Sequence, residues 1–559
     1  MPALDRAVDL LRRAISARPA FGILCVAYAV MLLIIMMPVL VSTVGADDMY
    51  FTLASIEAAN GSVVNAVTVH LGDIFLPDTT NEQPRTAPLA IAARRALAVI
   101  VLSAAVTFSL PLAAMWFLSK VVLLLVTIAS VAALLWQVRF RAGNGEVRGI
   151  RRSTMSFILL AVPLAIALGI KAQVVGGLNS WIHYPVLTYG AVPVIFSTVA
   201  LCLWLLRKLE TGYRAWVWPA VASLALVAFV LNYSYEIVAV AIPVAIVATV
   251  MHPRSTALPR WAAWKPAATV GGALGGVFTA LFVVNRWRLS TWDCVQDGSC
   301  YGGSTLEINP RTLLLNFAGA LPSSVTPTIE AVMRETGRSL PPAFTALGVA
   351  VGLVAVLLLA AAWAAWIARH RTRAVPSRAG RAIREEKGHD SRGLLVVIVV
   401  SAMTGIGVSV VSGITSRAVS LVQTAEIAYR SGVAVWTCIA LIGVIAVRLW
   451  LVHVQKRRRW VVAALVGGLV VVAIAHLLPL NLGVAQAERA APRAQVIDAI
   501  HWDIVLGDLT PVGEATRCAN AARYIRVLGS NQYFIRTIDS ANTAFEYIHG
   551  MPYCSTPAE

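Results

Sequence analysis

Charge is what this chain has least of. Only 13% of its residues are Asp, Glu, Lys or Arg, against a hydrophobic fraction of 58%, and that ratio excludes an ordinary soluble core. Acid is the scarcer sign, with 28 Asp and Glu against 46 Lys and Arg and a formal net charge of +18. Cysteine is sparse, seven in 559 residues, and no C-x-x-C zinc spacing occurs. A Walker loop, a G-x-S-x-G elbow, an H-E-x-x-H helix and internal repeats are all missing, so nothing supports ATP-driven chemistry or a protease. What is present is apolar. A mean hydropathy of +0.74, with many runs reaching the ~20 residues that cross a hydrocarbon layer, predicts an all-α polytopic membrane protein.

The cations lie in short loops between apolar runs, which fits positive-inside topology and anionic headgroups rather than nucleic acid. Residues 1–20 read as a basic cytoplasmic N-terminus, with Arg6, Arg12, Arg13 and Arg18 ahead of an apolar run from Phe21. Val44-Gly45-Ala46 imitates a signal-peptidase site, but the run is too long for an h-region and reads as an uncleaved first span, Phe21 to Thr43. The block from Leu89 to Gln137 is long enough for two spans. Two would put Arg139, Arg141, Arg148, Arg151 and Arg152 outside, so Leu89–Leu110 is expected along the outer interface and only Pro111–Gln137 as span two. The remaining runs are Thr154–Ile170, Tyr184–Leu206, Trp216–Leu231, Ile237–Met251, Ala267–Val284, Ala343–Ile367, Gly393–Ile414, Gly432–Trp450 and Trp460–Leu478. That makes about eleven spans within a transmembrane domain over 21–478. Outer loops cover 44–110 and 285–342, and 479–559 form a small exported C-terminal domain. The expected location is a plasma membrane, N-terminus in the cytoplasm and C-terminus outside.

Cysteine placement agrees with this topology. Cys25, Cys202 and Cys438 fall inside spans, whereas Cys294 and Cys300 share one outer loop and Cys518 and Cys554 share the tail. An even number in each exported segment predicts two local disulfides in an oxidising compartment.

The acids that matter are Asp47 and Asp48, adjacent carboxylates at the exit of span one. Neighbouring anions repel, so the pair calls for a metal, a cation or a proton to move; the plainer reading is that it ends the span. Other polar groups gather on the same predicted face: Arg85, Lys171, His183, Glu236, Arg286, Arg288, Arg417, Glu426 and Arg430. Each arginine alone reads as a snorkelling or solvated charge. Glu236 lies between two apolar runs with almost no loop, so its carboxylate is expected near hydrocarbon and in need of a partner. Trp181 and Tyr184, beside His183, read as an aromatic belt or a sugar-stacking platform. One reaction suits an outer carboxylate beside guanidiniums: transfer of a sugar from a lipid phosphate to an acceptor hydroxyl. The carboxylate takes the acceptor proton, and Arg417 and Arg430, or Arg286 and Arg288, hold the donor phosphate. Arg85 is a candidate for the positive charge between the acids. No cofactor is called for; a divalent cation on the acid pair stays open, two ligands being too few to hold one alone.

This pattern resembles the GT-C superfamily of integral-membrane glycosyltransferases, which use polyprenyl-phosphate sugars. Span one followed by Asp47-Asp48 at the start of a long outer loop, an interfacial helix after Arg85-Thr86, and the aromatic turn from Trp181 to Tyr184 carry the resemblance. It implies that Asp47 or Asp48 is the catalytic base of an inverting hexosyl- or pentosyltransferase. Composition and the exported tail are similar to actinobacterial cell-envelope members, which implies mannose or arabinose as the sugar and an envelope glycan or glycolipid as acceptor. The tail, with Trp502, Tyr524, Tyr533 and Phe534, reads equally as an acceptor holder or a structural cap.

Three other readings compete. A transporter or flippase of lipid-linked sugars predicts midplane charges and repeated halves. An O-antigen-type polymerase or ligase would centre on outer-loop arginines and a histidine, and a non-catalytic scaffold would need neither.

Overall fold

The computed structural model describes residues 18–40, 46–72, 74, 87–141, 146–170, 185–254, 260–296, 307–319, 321, 342–371, 390–414, 431–455, 458–529 and 532–555. In hydrocarbon no water satisfies a backbone N–H or C=O, and the apolar runs are accordingly helical. Those runs fall in α1 (Arg18–Leu40), α5 (Leu112–Gln137), α6 (Arg152–Ala167), α7 (Pro185–Asn232), α8 (Ala241–Met251), α9 (Arg260–Leu289), α12 (Pro342–Arg371), α13 (Asp390–Gly413), α14 (Gly432–His453) and α15 (Arg459–Ala490). Helix α7 holds two of them and bends at Gly212, where the backbone leaves the helical region. A 3-10 turn, Glu236–Val240, leads into α8. Helix α15 runs through Pro479 to Ala490, so the tail helices begin at Pro492 instead of at the end of the apolar run.

Nine helices among the described residues are long and apolar enough to cross a bilayer, and α6 and Glu236–Met251 are shorter apolar helices. The nine include α4 (Pro88–Phe108), the helix expected to lie along the interface. The only sheet among the described residues is a hairpin of β1 (Arg139–Arg141) and β2 (Val147–Gly149), antiparallel with Phe140 opposite Arg148.

Contacts sort the helix ends into two sets. At one end, Lys120 of α5 lies 3.4 Å from the Leu40 carbonyl closing α1. There too the Leu89 N–H donates to the Tyr233 carbonyl beyond α7, and Asn481 of α15 donates to the Ile170 carbonyl beyond α6. At the opposite end, Arg207 at the α7 bend bonds Gln137 closing α5, and Arg448 of α14 reaches Thr154 of α6. The hairpin belongs to this second end, because Arg141 donates to the Arg254 carbonyl and accepts at its own carbonyl from Arg392 of α13. Exposed tryptophans, Trp136, Trp218, Trp261, Trp450 and Trp460, also mark that end, as an aromatic belt at a headgroup layer would.

Two hydrophobic cores result. The larger joins the long helices through residues such as Ile195, Phe196, Leu224, Val397 and Leu441. The second, at the first end, joins α2 (Ala46–Ala59), α4, the start of α5, and the tail helices α16 (Pro492–Leu506), α17 (Pro511–Leu528) and α18 (Gln532–His549). We call that end the cap end and the other the linker end. Thus α4 buries Val99, Val101 and Leu102 against the first loop and the tail, its ring of neighbours being the cap.

Between α12 and α15 the backbones come close because Gly348 and Gly352 present no side chain: a Cβ on Gly348 would stand 2.9 Å from the Ala475 Cα, and one on Gly352 3.1 Å from the Val471 Cα. This is small-residue packing of the kind that lets helices associate in lipid. Gly348→Val is expected to lower stability by about 1–3 kcal/mol, read as a fall in melting temperature in detergent. Gly468→Val, on a position open to its surroundings, is the control and is expected to leave the melting temperature in place. Equal melting for all three proteins would contradict this packing.

Candidate functional site

Helix α2 begins at Ala46, so Asp47 and Asp48 occupy its first turn; for 46–48 the backbone alone is described. The rest of α2 is fixed in place. Met49, Leu53 and Ile56 are buried in the second core. Left-handed Asn60 and Gly61 then turn the chain into α3 (Val63–Gly72). On α18, the Ser540 hydroxyl donates to Glu57 at 2.8 Å and the Tyr547 hydroxyl to the Asn60 side-chain oxygen at 2.7 Å. Residues near position 50 and near position 540 thereby form one folded unit.

The tail has its own brace. Arg517 is fully buried: its Nε donates to the Tyr553 carbonyl at 2.7 Å, its Nη1 bonds the Asp508 carbonyl, and its guanidinium lies 4.4 Å from the Phe545 ring. Asp503 accepts from the Tyr553 hydroxyl at 2.6 Å and from Asn520 at 2.8 Å. Cys518 and Cys554 form a disulfide with their Cα atoms 5.0 Å apart, closing the last residues onto α17. Cys294 is also disulfide-bonded; Cys300 lies outside the described residues.

Arg85, Lys171, Trp181, His183, Tyr184, Arg417 and Arg430 also lie outside the described residues. Their flanks do not. Ala87 precedes α4; Ile170 accepts from Asn481; the Ile414 carbonyl accepts from the Glu307 N–H at 3.0 Å; and the Ser431 hydroxyl donates to Asn316 at 3.3 Å. Asn316 sits on α11 (Pro310–Ala318), whose start is capped by the Asn309 side chain, and donates to the Ser409 carbonyl at 2.7 Å and the Ser412 hydroxyl at 2.8 Å. This buried polar cluster seats the loop after α9 on the ends of α13 and α14. All these flanking residues are at the cap end, the end that carries α2.

The remaining candidates are described in full. Arg286 is exposed and lies 5.2 Å from the Phe282 ring, whereas Arg288 is half-buried and donates to the Ile74 carbonyl at 2.7 Å. Two residues apart on one helix, they address different neighbours, and Arg288 ties the chain after α3 to α9. Glu236 is exposed. The turn buries Tyr233, Ile237 and Val238 and leaves the Glu236 carboxylate on the surface of the helix bundle.

Lys120 is the residue that sequence reasoning passed over: a cation inside a span-length helix, 3% exposed, at the carbonyl end of α1. Its signal was legible, since an ionisable group within an apolar run is expensive unless partnered. Among the described residues no group of three or more His, Cys, Asp or Glu side chains is placed to hold a metal ion. No protein-family model, curated protein or solved structure matches the chain.

Two tail groups titrate in opposing senses. Burial pushes His501 down from 6.5 to about 4, so acidification through that window protonates the unfolded tail first and destabilises the fold. Burial pushes Asp498 up from 3.8 to about 6, against the opposing pull of Arg489, so the folded tail takes up the proton first and gains stability over nearly the same window. The two largely offset each other. Asp498→Asn should expose the histidine's effect: hydrogen exchange in α16–α18 is expected to accelerate relative to the parent protein as pH falls from about 6 to about 4. Parallel pH profiles for parent and variant would contradict this linkage.

Proposed function

We propose that this protein is a membrane glycosyltransferase of GT-C type, moving a sugar of mannose or arabinose kind from a polyprenyl-phosphate donor to a cell-envelope glycan or glycolipid acceptor. One observation carries the reading: the turn bearing Asp47 and Asp48 opens a helix fixed beneath the tail at the cap end, where the arginine-bearing loops also begin and end. A lipid-linked donor keeps its chain in hydrocarbon and its phosphate at the headgroup level. The reacting bond therefore needs a site at the end of the spans, and a folded cap above that level to receive a water-soluble acceptor.

The topology belongs to the same proposal. Eleven crossings, with α7 counted as two and α4 lying in the cap, agree with the way the helix ends pair. The linker end, with Arg139, Arg141, Arg207, Arg254 and Arg392, is then cytoplasmic and the cap end external.

In the reaction, one carboxylate of the pair takes the acceptor hydroxyl proton as the oxygen attacks the anomeric carbon. The bond from that carbon to the phosphate oxygen breaks, and the lipid phosphate leaves with the electron pair, held by guanidinium groups of which Arg417 is the first choice. The second carboxylate orients the first or binds a cation. A general base must accept a proton, which an amide cannot do.

Asp47→Asn and Asp48→Asn in purified, correctly folded protein should separate these roles. The base variant is expected to lose about 10²–10⁴-fold in transfer rate while donor binding survives. Parent-level transfer in both variants would sink the mechanism and favour a carrier of lipid-linked sugars.

A further inference from the structure

At the linker end, five arginines from four segments meet. The hairpin supplies Arg139 and Arg141, the α7 bend Arg207, the turn after α8 Arg254, and the start of α13 Arg392. Their hydrogen bonds run to neutral oxygens: Arg139 to the Trp136 carbonyl at 3.3 Å, Arg141 to the Arg254 carbonyl, Arg392 to the Arg141 carbonyl at 3.2 Å, and Arg207 to the Gln137 side chain. Arg254 stacks 3.2 Å from the Trp264 ring.

Negative charge is short here. Among the described residues Glu210 is the carboxylate that acts on both Arg207 and Arg254, and it stands 3.5 Å from buried His252. Glu146 is exposed and pairs with Arg148 at 2.6 Å. Meanwhile Arg207 Nε and Arg254 Nε and Nη2 are buried with no hydrogen-bond partner. Burial pulls the Arg254 pKa down, with Glu210 opposing. Buried guanidinium donors without acceptors are costly, and guanidinium forks match one ligand class best, a tetrahedral oxyanion that accepts several N–H bonds at once.

We propose that this junction of the hairpin, the α7 bend and the turn after α8 binds a phosphate group, that of an anionic phospholipid headgroup. Exposed tryptophans Trp136, Trp218 and Trp261 lie on α5, α7 and α9, the helices that adjoin this junction, and such side chains favour the headgroup level, where a lipid phosphate sits. A lipid bound there would join four segments that otherwise meet as like charges. The proposal concerns the end opposite Asp47 and Asp48 and does not depend on the transferase reading.

Native mass spectrometry of the full-length protein in detergent tests it, with phosphatidylglycerol, phosphatidylcholine and inorganic phosphate as separate probes. The parent protein is expected to retain phosphatidylglycerol at least about tenfold more strongly than phosphatidylcholine, and the double variant Arg207→Gln, Arg254→Gln to lose most of that preference. Arg148→Gln, already paired to Glu146, is the control and should keep it. Competition by millimolar inorganic phosphate, with the same loss in the double variant, supports the phosphate site and makes its natural occupant a soluble phosphate. An unchanged preference in the double variant, or equal loss in Arg148→Gln, overturns the proposal. If the double variant fails to fold, Arg254→Lys serves instead, since it keeps the charge and loses the fork; parent-level retention there also overturns it.

Discussion

Burial of Met49, Leu53 and Ile56 against Tyr524, Ala541, Ala544 and Phe545 is the contact on which the cap end depends. The segment after α1 and the tail are more than four hundred residues apart in sequence (Ser540 to Glu57 is a separation of 483). Together with α4 they make one core. That core holds the helix whose first turn carries Asp47 and Asp48. A site built on a loop would drift; one built on a helix locked by packing and by the Glu57–Ser540 and Asn60–Tyr547 bonds keeps its geometry.

Much of the membrane architecture was legible because one strong rule governs it: apolar runs become helices in a medium without water. Even the ambiguous Leu89–Gln137 block split where Ser109-Leu110-Pro111 interrupts it, with Ser109 left-handed between α4 and α5. Boundaries set by packing were harder to see. Pro479 does not stop α15, because a proline is tolerated in a long helix when neighbours satisfy the freed carbonyl. Which side chain of the turn after α7 packs inward, Tyr233 and not Glu236, was not legible from spacing. The union of the first loop with the tail left no mark in the sequence: apolar contacts across that separation have no period and no motif.

Charge placement divides the molecule in a second way. At the cap end three described cations act singly as braces: Arg288 on the Ile74 carbonyl, Arg517 inside the tail, Lys120 at the close of α1. At the linker end they are massed, and Arg207, Arg254 and Arg141 approach one another across three segments with Glu210 between. Under the proposed topology, positive-inside partition accounts for the sign of that mass. Its burial is a separate matter, and in sequence the two are indistinguishable.

Whether the cap faces outward decides between this account and its inverse, and cysteine accessibility in intact cells measures it directly. Val512 is exposed on the tail and Arg148 lies on the hairpin at the linker end. A membrane-impermeant maleimide should label Val512→Cys in intact cells and Arg148→Cys only after permeabilisation. Labelling of Arg148→Cys from outside, with Val512→Cys protected, would reverse the topology and remove Asp47 and Asp48 from the external face.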